Sequence, residues 1–226
     1  MTVTVDLVQL TKIYKNTTEP SVDAIDMSIE KGQLVAMLGP SGCGKTTTMK
    51  MVAGLLDPTS GDVLFDGASV IDIPAEKRQV AMVFQKPLLF PHMSIGDNVA
   101  FGLRMRGVDK KTRVKRVAEM MELVRLPGME DRRPGQLSGG QEQRISLARG
   151  LITEPDILLL DEPLSQLDAN LRIEMRDLIR QIQAELGITS IFVTHDQEEA
   201  VMLADRIALM LQGRIQQDGL PQDFYE

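Results

Sequence analysis

The feature that most constrains this chain is the stretch Gly39-Pro40-Ser41-Gly42-Cys43-Gly44-Lys45-Thr46. It matches the pattern G-x-x-x-x-G-K-[ST] at every fixed position. An apolar run at 35–38 precedes it, and a helical pattern at 45–53 follows it. Glycines let backbone N–H groups turn inward around phosphate oxygens, and the helix N-terminus adds positive charge at the same point. The sequence therefore predicts a phosphate-binding loop between a buried strand and a helix.

Three side chains of this stretch have predicted roles in holding a nucleotide. Lys45 can reach the β- and γ-phosphates, the Thr46 hydroxyl can ligate Mg²⁺, and Thr47 can support the α-phosphate. An ordinary glycine-rich turn is the alternative, which the complete pattern in this setting disfavours. The pattern alone does not separate kinases, GTPases, helicases and transport ATPases.

Strand patterns alternate with helical patterns along most of the chain. Short apolar runs at 80–84, 157–160, 191–193 and 206–211 predict buried strands. The run at 206–211 is expected to be the last strand, before a turn at Gly213. An apolar stripe predicts a helix over 171–186, and Asp196 with Glu199 three residues later predicts a capping box. Strands alternating with helices imply a three-layer α/β fold.

The middle of the chain has a different pattern, which is mostly helical from about 86 to 150. Val114, Val117, Ala118 and Met121 fall at helix spacing with Lys and Arg between them. We interpret this stretch as a helical subdomain inserted into the α/β core.

Two acids follow the apolar run at 157–160, and two further polar residues follow other predicted strands. In α/β sheets, ligands lie outside the carboxyl ends of the strands. Asp161 is therefore expected to hold Mg²⁺, and Glu162 to orient and deprotonate an attacking water. Gln85 offers an amide to the metal and the water, and His195 a hydrogen bond to the γ-phosphate, although a lone histidine is more often structural.

Composition limits the remaining choices. The chain has 226 residues, a net charge of −7 and one cysteine, Cys43. An acidic chain argues against a general nucleic-acid binder, and a single cysteine excludes an intrachain disulfide. No signal peptide and no membrane span are evident.

The stretch Leu137-Ser138-Gly139-Gly140-Gln141 resembles the signature motif of ABC ATPases, and the resemblance extends over essentially the whole chain. It implies a P-loop NTPase core with an N-terminal antiparallel β subdomain, in one domain over 1–226. It also implies an adenine-stacking role for Tyr14, a Q-loop at Gln85, a D-loop ending at Asp168 and a switch histidine at His195. In the family, the signature loop grips the γ-phosphate bound to a partner subunit, so that two subunits enclose two ATP molecules head to tail.

Two residues depart from the family pattern without removing anything needed for hydrolysis. Gln166 stands in the D-loop where a small residue is usual, and Glu142 replaces a common glutamine after the signature.

The stretch 84–103 resembles import ATPases that serve sugars, polyamines, ferric iron, sulfate or related anions. The resemblance implies a groove for a coupling helix of a membrane permease, for which Leu88, Leu89, Phe90 and Met93 are suitably apolar. Local core packing is the alternative explanation for these side chains. The expected partners are a second ATPase subunit, permease subunits and, indirectly, a solute-binding protein, at the cytoplasmic face of the membrane. A C-terminal regulatory β-domain, frequent in this group, is expected to be absent or cut off.

Three other functions stay open at this point. A non-transport ABC ATPase would need a long coiled coil or a second nucleotide domain. A regulatory module that holds nucleotide without hydrolysis is disfavoured by Glu162 and His195. A P-loop kinase would have no use for the signature.

Overall fold

The computed structural model describes residues 2–15 and 17–224. The predicted domain limits at residues 1 and 226 lie outside this range. The strands of the described part are β1 (Val5–Lys12), β2 (Val22–Ile29), β3 (Leu34–Leu38), β4 (Ser60–Phe65), β5 (Ala68–Ser69), β6 (Val80–Val83), β7 (Ile157–Asp161), β8 (Thr189–Thr194), β9 (Arg206–Leu211) and β10 (Arg214–Gly219). The α-helices are α1 (Lys45–Val52), α2 (Ile95–Met105), α3 (Lys110–Leu123), α4 (Gly139–Leu151), α5 (Ala169–Leu186) and α6 (Gln197–Leu203).

The central sheet has the strand order β10-β9-β3-β8-β7-β6. Strands β9, β3, β8, β7 and β6 run parallel to one another, and β10 at the edge pairs antiparallel with β9. Every residue of β3 and β8 is buried. These strands have continuous apolar runs because both faces of the sheet are covered.

The two faces of the central sheet belong to two separate apolar clusters. Leu34, Ala36 and Leu38 of β3 pack in the cluster that includes residues of α2 to α6. Val35 and Met37 point to the other face, where the cluster includes residues of α1 and of a second sheet. The result is the three-layer α/β core that the strand and helix patterns predict.

The second sheet is antiparallel, with the order β2-β1-β4-β5. It confirms the expected N-terminal β subdomain. Its first strand is irregular between Leu7 and Leu10, where Gln9 has φ +47°. This bulge explains why the buried residues are spaced by two from Val5 to Leu7 and by three from Leu7 to Leu10.

Helices α2, α3 and α4 lie in the stretch for which a helical subdomain is predicted, and α4 ends one residue beyond it. Val117 and Met121 of α3 are buried as their spacing predicts, whereas Val114 is 62% exposed. The apolar stripe of α3 is thus narrower than the sequence pattern indicates. The limits of this subdomain remain a prediction.

Two local predictions need correction. The strand at 206–211 is not the last, because β10 follows the turn at Gly213 and pairs back with β9. The capping box at Asp196 is only half formed: Asp196 accepts from the N–H of Glu199, but the carboxylate of Glu199 accepts from Thr194 at 2.6 Å instead. The buried hydroxyl of Thr194 thus takes both places, since it also accepts from the N–H of Asp196 at 3.0 Å. No helix in the described part is long and apolar enough to cross a membrane.

Candidate functional site

The loop between β3 and α1 has the backbone geometry that its glycines predict. Gly42 has φ +83° and Gly44 φ +107°, in the left-handed region that favours glycine. A Cβ on Gly44 would lie 2.4 Å from the carbonyl oxygen of Ser21, and one on Gly39 would lie 2.2 Å from that of Met210. Around Gly42 the space is open, with nothing within 4 Å. The loop is therefore packed tightly on its inner side and accessible on its outer side.

Lys45 lies at the centre of this loop and is 4% exposed. Its ammonium group donates to the carbonyl oxygens of Gly39 at 2.6 Å and Pro40 at 2.9 Å. Cys43 is buried below it, while Pro40 and Ser41 lie exposed at the tip. The single cationic group of the loop is thus fixed where a triphosphate would meet the backbone N–H groups.

Thr46 and Asp161 meet although they are far apart in the chain. The Thr46 hydroxyl donates to Oδ1 of Asp161 at 2.9 Å. Burial raises the pKa of Asp161, and the neighbouring Glu162 adds to this, while the hydrogen bond from Thr46 acts in the opposite direction. A hydroxyl and a carboxylate at this distance are hard oxygen donors of the kind that Mg²⁺ prefers. The pair therefore fits the predicted metal site.

Glu162 and His195 face each other beside this pair, with Nδ1 of His195 3.3 Å from Oε2 of Glu162. Glu162 has φ +46°, and its N–H donates to the carbonyl oxygen of Val193 on the neighbouring strand. Strained backbone of this kind is tolerated where the surroundings fix it, often at functional sites. The side chain of His195 is half exposed and that of Glu162 is mostly buried. A base and a polar partner are thus held together at the carboxyl ends of β7 and β8.

Gln85 follows β6 and is exposed. Its amide donates to the hydroxyl of Ser165 at 3.0 Å, and this hydroxyl donates to the carbonyl oxygen of Glu162 at 2.9 Å. Gln85 is therefore linked to the segment that carries Glu162. Its predicted role as a metal ligand stays a prediction.

Tyr14 is close to the start of α1, as an adenine-stacking residue requires. Its hydroxyl lies 3.4 Å from Oγ1 of Thr47, and its side chain is 40% exposed. Tyr14 and Gly42 both line a cavity of about 670 Å³ that also includes Glu19, Asp23 and Arg214. This cavity lies directly beside the phosphate loop, and its size suits a nucleoside.

Ser138 begins α4 as its N-cap. Its hydroxyl accepts from the N–H of Gln141 at 3.3 Å, and the side chain of Gln141 accepts from the N–H of Ser138 at 3.0 Å. Leu137 packs against the main apolar cluster. In the same way Asp168 caps α5, accepting from Leu171. Both predicted loops thus end at helix N-termini, where partial positive charge accumulates.

The two glycines of the signature differ in their surroundings. A Cβ on Gly140 would lie 3.2 Å from Leu171 of α5, so packing within the chain favours glycine there. A Cβ on Gly139 would meet nothing within 4 Å, and its φ is not positive. Contacts within the chain do not explain Gly139, which is compatible with close approach by something outside it.

Sequence reasoning missed the residues that support these loops through hydrogen bonds to their backbone or to a neighbouring side chain. Thr194 accepts from the N–H of Asp196 and donates to Glu199, which orders the segment that carries His195. Gln143 and Arg149 of α4 donate to carbonyl oxygens of the segment that carries Gln85. The available signal was a polar residue on an otherwise buried strand or helix face.

Comparisons with known proteins agree with this geometry. A profile of the ABC transporter family matches residues 22–165. The Fe(3+) ions import ATP-binding protein FbpC of Pasteurella multocida (strain Pm70) is 53% identical over 204 residues, covering 90% of this chain and 58% of that protein. The protein of the same name from Escherichia coli (strain K12) is 50% identical over 221 residues, covering 98% of this chain and 63% of that one. The chain thus spans about three-fifths of the length of these relatives.

Two solved structures are similar over nearly the whole chain. cbiO1 from Clostridium perfringens, described as part of the ABC transporter complex cbiONQ, has a TM-score of 0.89 and 31% identity, covering 98% of this chain and 90% of that one. A dimeric post-hydrolysis state of the ATP-binding cassette MJ0796, bound to ADP and Pi, has a TM-score of 0.85 and 29% identity, covering 96% and 98%. The phosphate loop, the acidic strand end and the signature helix occur together in one matched fold, and the chain belongs to the ABC transporter family.

Proposed function

We propose that this chain is the ATP-binding subunit of an ABC importer, which binds ATP with Mg²⁺, dimerises head to tail around it and hydrolyses it. The observation that carries the proposal is the contact of Thr46 with Asp161 at 2.9 Å beside the contact of Glu162 with His195 at 3.3 Å. These contacts bring the proposed metal ligands, Thr46 and Asp161, and the proposed base, Glu162, to the edge of the sheet where the phosphate loop lies, and this arrangement supports phosphoryl transfer to water.

Binding of the triphosphate falls to the loop and Lys45. The ammonium group of Lys45 exchanges carbonyl partners for phosphate oxygens, and backbone N–H groups of the loop supply further donors. Tyr14 offers its ring to the adenine. Thr46 and Asp161 would hold Mg²⁺, with Gln85 as a further ligand. When bound, the metal neutralises charge that develops on the phosphate oxygens.

Hydrolysis then needs an oriented water and a base. The carboxylate of Glu162 accepts a proton from the attacking water, and His195 holds that carboxylate in place while its half-exposed ring remains available to the γ-phosphate. Little covalent help is needed from the protein, because positioning and charge neutralisation supply most of the rate in this reaction class.

Closure of the site is assigned to a second subunit. Ser138 and Gly139 lie at the N-terminus of α4, where a hydroxyl, an unobstructed glycine and the helix dipole favour an anion. The dimeric state of the MJ0796 cassette supports this assembly. We propose that this loop grips the γ-phosphate bound to the partner.

The surface near Gln85 is proposed as the docking groove for a permease helix. A cavity of about 310 Å³ is lined by Leu88, Phe90, Phe101 and Arg149 among others. Leu88 is 58% exposed, whereas Leu89 packs against the core. We therefore assign Leu88 to docking and Leu89 to packing of the core.

Ferric ion is the proposed cargo of the transporter, because the relatives that are 50–53% identical are named Fe(3+) ions import ATP-binding proteins. Permease subunits and a solute-binding protein would carry the ion, and this chain would lie peripherally at the cytoplasmic face of the membrane. Uptake of radioactive Fe³⁺ by cells that lack the gene, with and without the restored chain, tests the assignment; equal uptake contradicts it.

Hydrolysis itself is tested by Glu162→Gln, with the exposed Glu185→Gln on α5 as the matched control. Glu162→Gln should bind ATP normally, form a stable dimer and lose at least about a hundredfold in turnover, since general bases contribute 10²–10⁴-fold. Glu185→Gln should behave as the parent chain. Unchanged turnover in Glu162→Gln would refute the assignment.

A further inference from the structure

Helix α4 donates side-chain hydrogen bonds to the segment from Phe84 to Phe90 at two points, one on either side of Gln85. On one side, the side-chain amide of Gln143 donates to the carbonyl oxygen of Phe84 at 3.1 Å, and Gln143 is 2% exposed. On the other side, Arg149 donates from Nη1 to the carbonyl oxygen of Leu88 at 2.9 Å and from Nη2 to that of Pro87 at 3.0 Å. The segment is thus attached to one helix both before and after Gln85.

Leu88, one of the two residues whose carbonyl oxygens accept from Arg149, has an unusual backbone conformation. Its φ is +48°, in the left-handed region that a leucine rarely adopts. Such a conformation persists only where the surroundings hold it. Here it accompanies two successive carbonyl oxygens that accept from one planar guanidinium group, and it leaves the Leu88 side chain 58% exposed.

Arg149 is itself held in place. Its guanidinium carbon lies 5.4 Å from the centre of the Phe90 ring, and a cation over an aromatic face is attracted by it. The Phe90 ring in turn packs at a tilt of 46° against that of Phe101, with the ring centres 4.8 Å apart. Burial lowers the pKa of Arg149, so its charge is partly desolvated and its hydrogen bonds are correspondingly important.

We propose that Arg149 is a positioning residue that fixes the segment carrying Gln85 to the helix that begins at Ser138. We call its two hydrogen bonds to Pro87 and Leu88 the lock. A displacement of Leu88 at the surface is then passed through the guanidinium group to α4, and closure at Ser138 is passed back to Gln85. This inference rests on the proposed function for its consequence, but the lock itself is a property of the isolated chain.

Arg149→Lys tests the two hydrogen bonds separately from the charge, because lysine keeps the positive charge and loses the planar guanidinium group that reaches two carbonyl oxygens. Arg106→Lys is the matched control. Arg106 also donates to a backbone carbonyl, that of Thr153 at 2.9 Å, and to Gln79 at 2.9 Å, but not to the segment 84–90. Arg149→Gln serves as the second variant should the lysine variant fail to fold.

Hydrogen exchange of the peptide 84–91 in the nucleotide-free chain is the first measurement. Arg149→Lys should accelerate exchange there by about tenfold or more, since charge-assisted bonds are lost and local opening sets the exchange rate. Arg106→Lys should leave it unchanged. Exchange in Arg149→Lys equal to that of the parent, or equally accelerated in both variants, overturns the proposal.

The second measurement adds ATP in the Glu162→Gln background. Dimer formation should slow exchange of 84–91 when Arg149 is present, and should fail to do so in Arg149→Lys although size-exclusion chromatography still shows the dimer. Equal slowing in both overturns the link to Ser138. If Glu162→Gln itself neither binds ATP nor dimerises, the proposed function fails, while the nucleotide-free comparison still decides on the lock.

Discussion

Arg78 holds the C-terminal end of α1, the helix that follows the phosphate loop. It is 8% exposed, and its guanidinium group donates to the carbonyl oxygens of Met51 at 2.8 Å and Val52 at 2.9 Å. It donates further to Ile73 and Ile71. The last carbonyls of a helix lack partners within it. Arg78→Met would therefore leave the buried carbonyl oxygen of Val52 unpaired, while that of Met51 still accepts from the N–H of Gly54 at 3.1 Å.

The expected loss follows from those two carbonyls. The carbonyl oxygen of Val52 would become an unpaired buried acceptor, which costs about 2 kcal/mol, and that of Met51 would lose one of its two hydrogen bonds, which costs about 1 kcal/mol, so the gross loss is about 3 kcal/mol. Part of this is offset because Arg78 no longer has to be desolvated, an effect seen in its lowered pKa. We expect a net loss of about 2 kcal/mol, which corresponds to roughly 4–8 °C in Tm for a chain of this size.

Thermal unfolding without nucleotide, followed by circular dichroism, measures this loss. Lys77→Met is the matched control. Lys77 is exposed and adjacent to Arg78, so its replacement should change the free energy of unfolding by less than about 0.5 kcal/mol. A Tm for Arg78→Met within about 2 °C of the parent would refute the reasoning, because it would mean that other groups satisfy the end of α1.

Three further predictions concern the nucleotide site and its supports. Gly140→Ala should be less stable than Gly139→Ala by roughly 1 kcal/mol, because its Cβ meets Leu171 at 3.2 Å while that of Gly139 meets nothing, whereas Gly139→Ala should weaken ATP-driven dimerisation, as measured by light scattering; equal effects of the two would contradict the distinction. Tyr14→Ala should raise the Kd for ATP roughly tenfold in a fluorescence titration while Tyr14→Phe keeps it, because stacking on a base is worth about 1–3 kcal/mol; no change in the alanine variant would argue against stacking. Burial raises the pKa of Glu199 above 4.5, so the stability linked to it is present below that value and is lost as the pH rises through the raised pKa; Glu199→Gln should make this part of the pH dependence flat in denaturant titrations, and an unchanged slope would contradict the shift.

The central sheet could be predicted because its strands are short apolar runs that end at chemically distinctive residues. The runs before Gly39, Asp161 and His195 all proved to be strands, since burial on both faces leaves a continuous apolar pattern. The N-terminal sheet was less accessible. The family resemblance implied it, but no sequence pattern placed its strands β2, β4 and β5. In β1 the bulge at Gln9 makes the spacing of the buried residues irregular.

The candidate site residues could be predicted from the sequence where a motif specifies their chemistry. Lys45, Thr46 and Asp161 are assembled as their motifs predict, because spacing along the chain and strand order bring them to one edge. Arg149 and Thr194 were not accessible. Each acts on backbone carbonyls or on one buried partner, and a contact of this kind depends on tertiary neighbours that no local pattern specifies.

The central claim is that each ATP is enclosed by the phosphate loop of one subunit and the Ser138 loop of another. Mixing two inactive variants, Lys45→Ala and Ser138→Arg, tests it directly. In a mixed dimer one of the two sites has an intact phosphate loop and an intact signature, so random pairing should restore about a quarter of the parent turnover. Turnover that stays at the level of the separate variants, while differently tagged subunits are shown to exchange, would contradict the account.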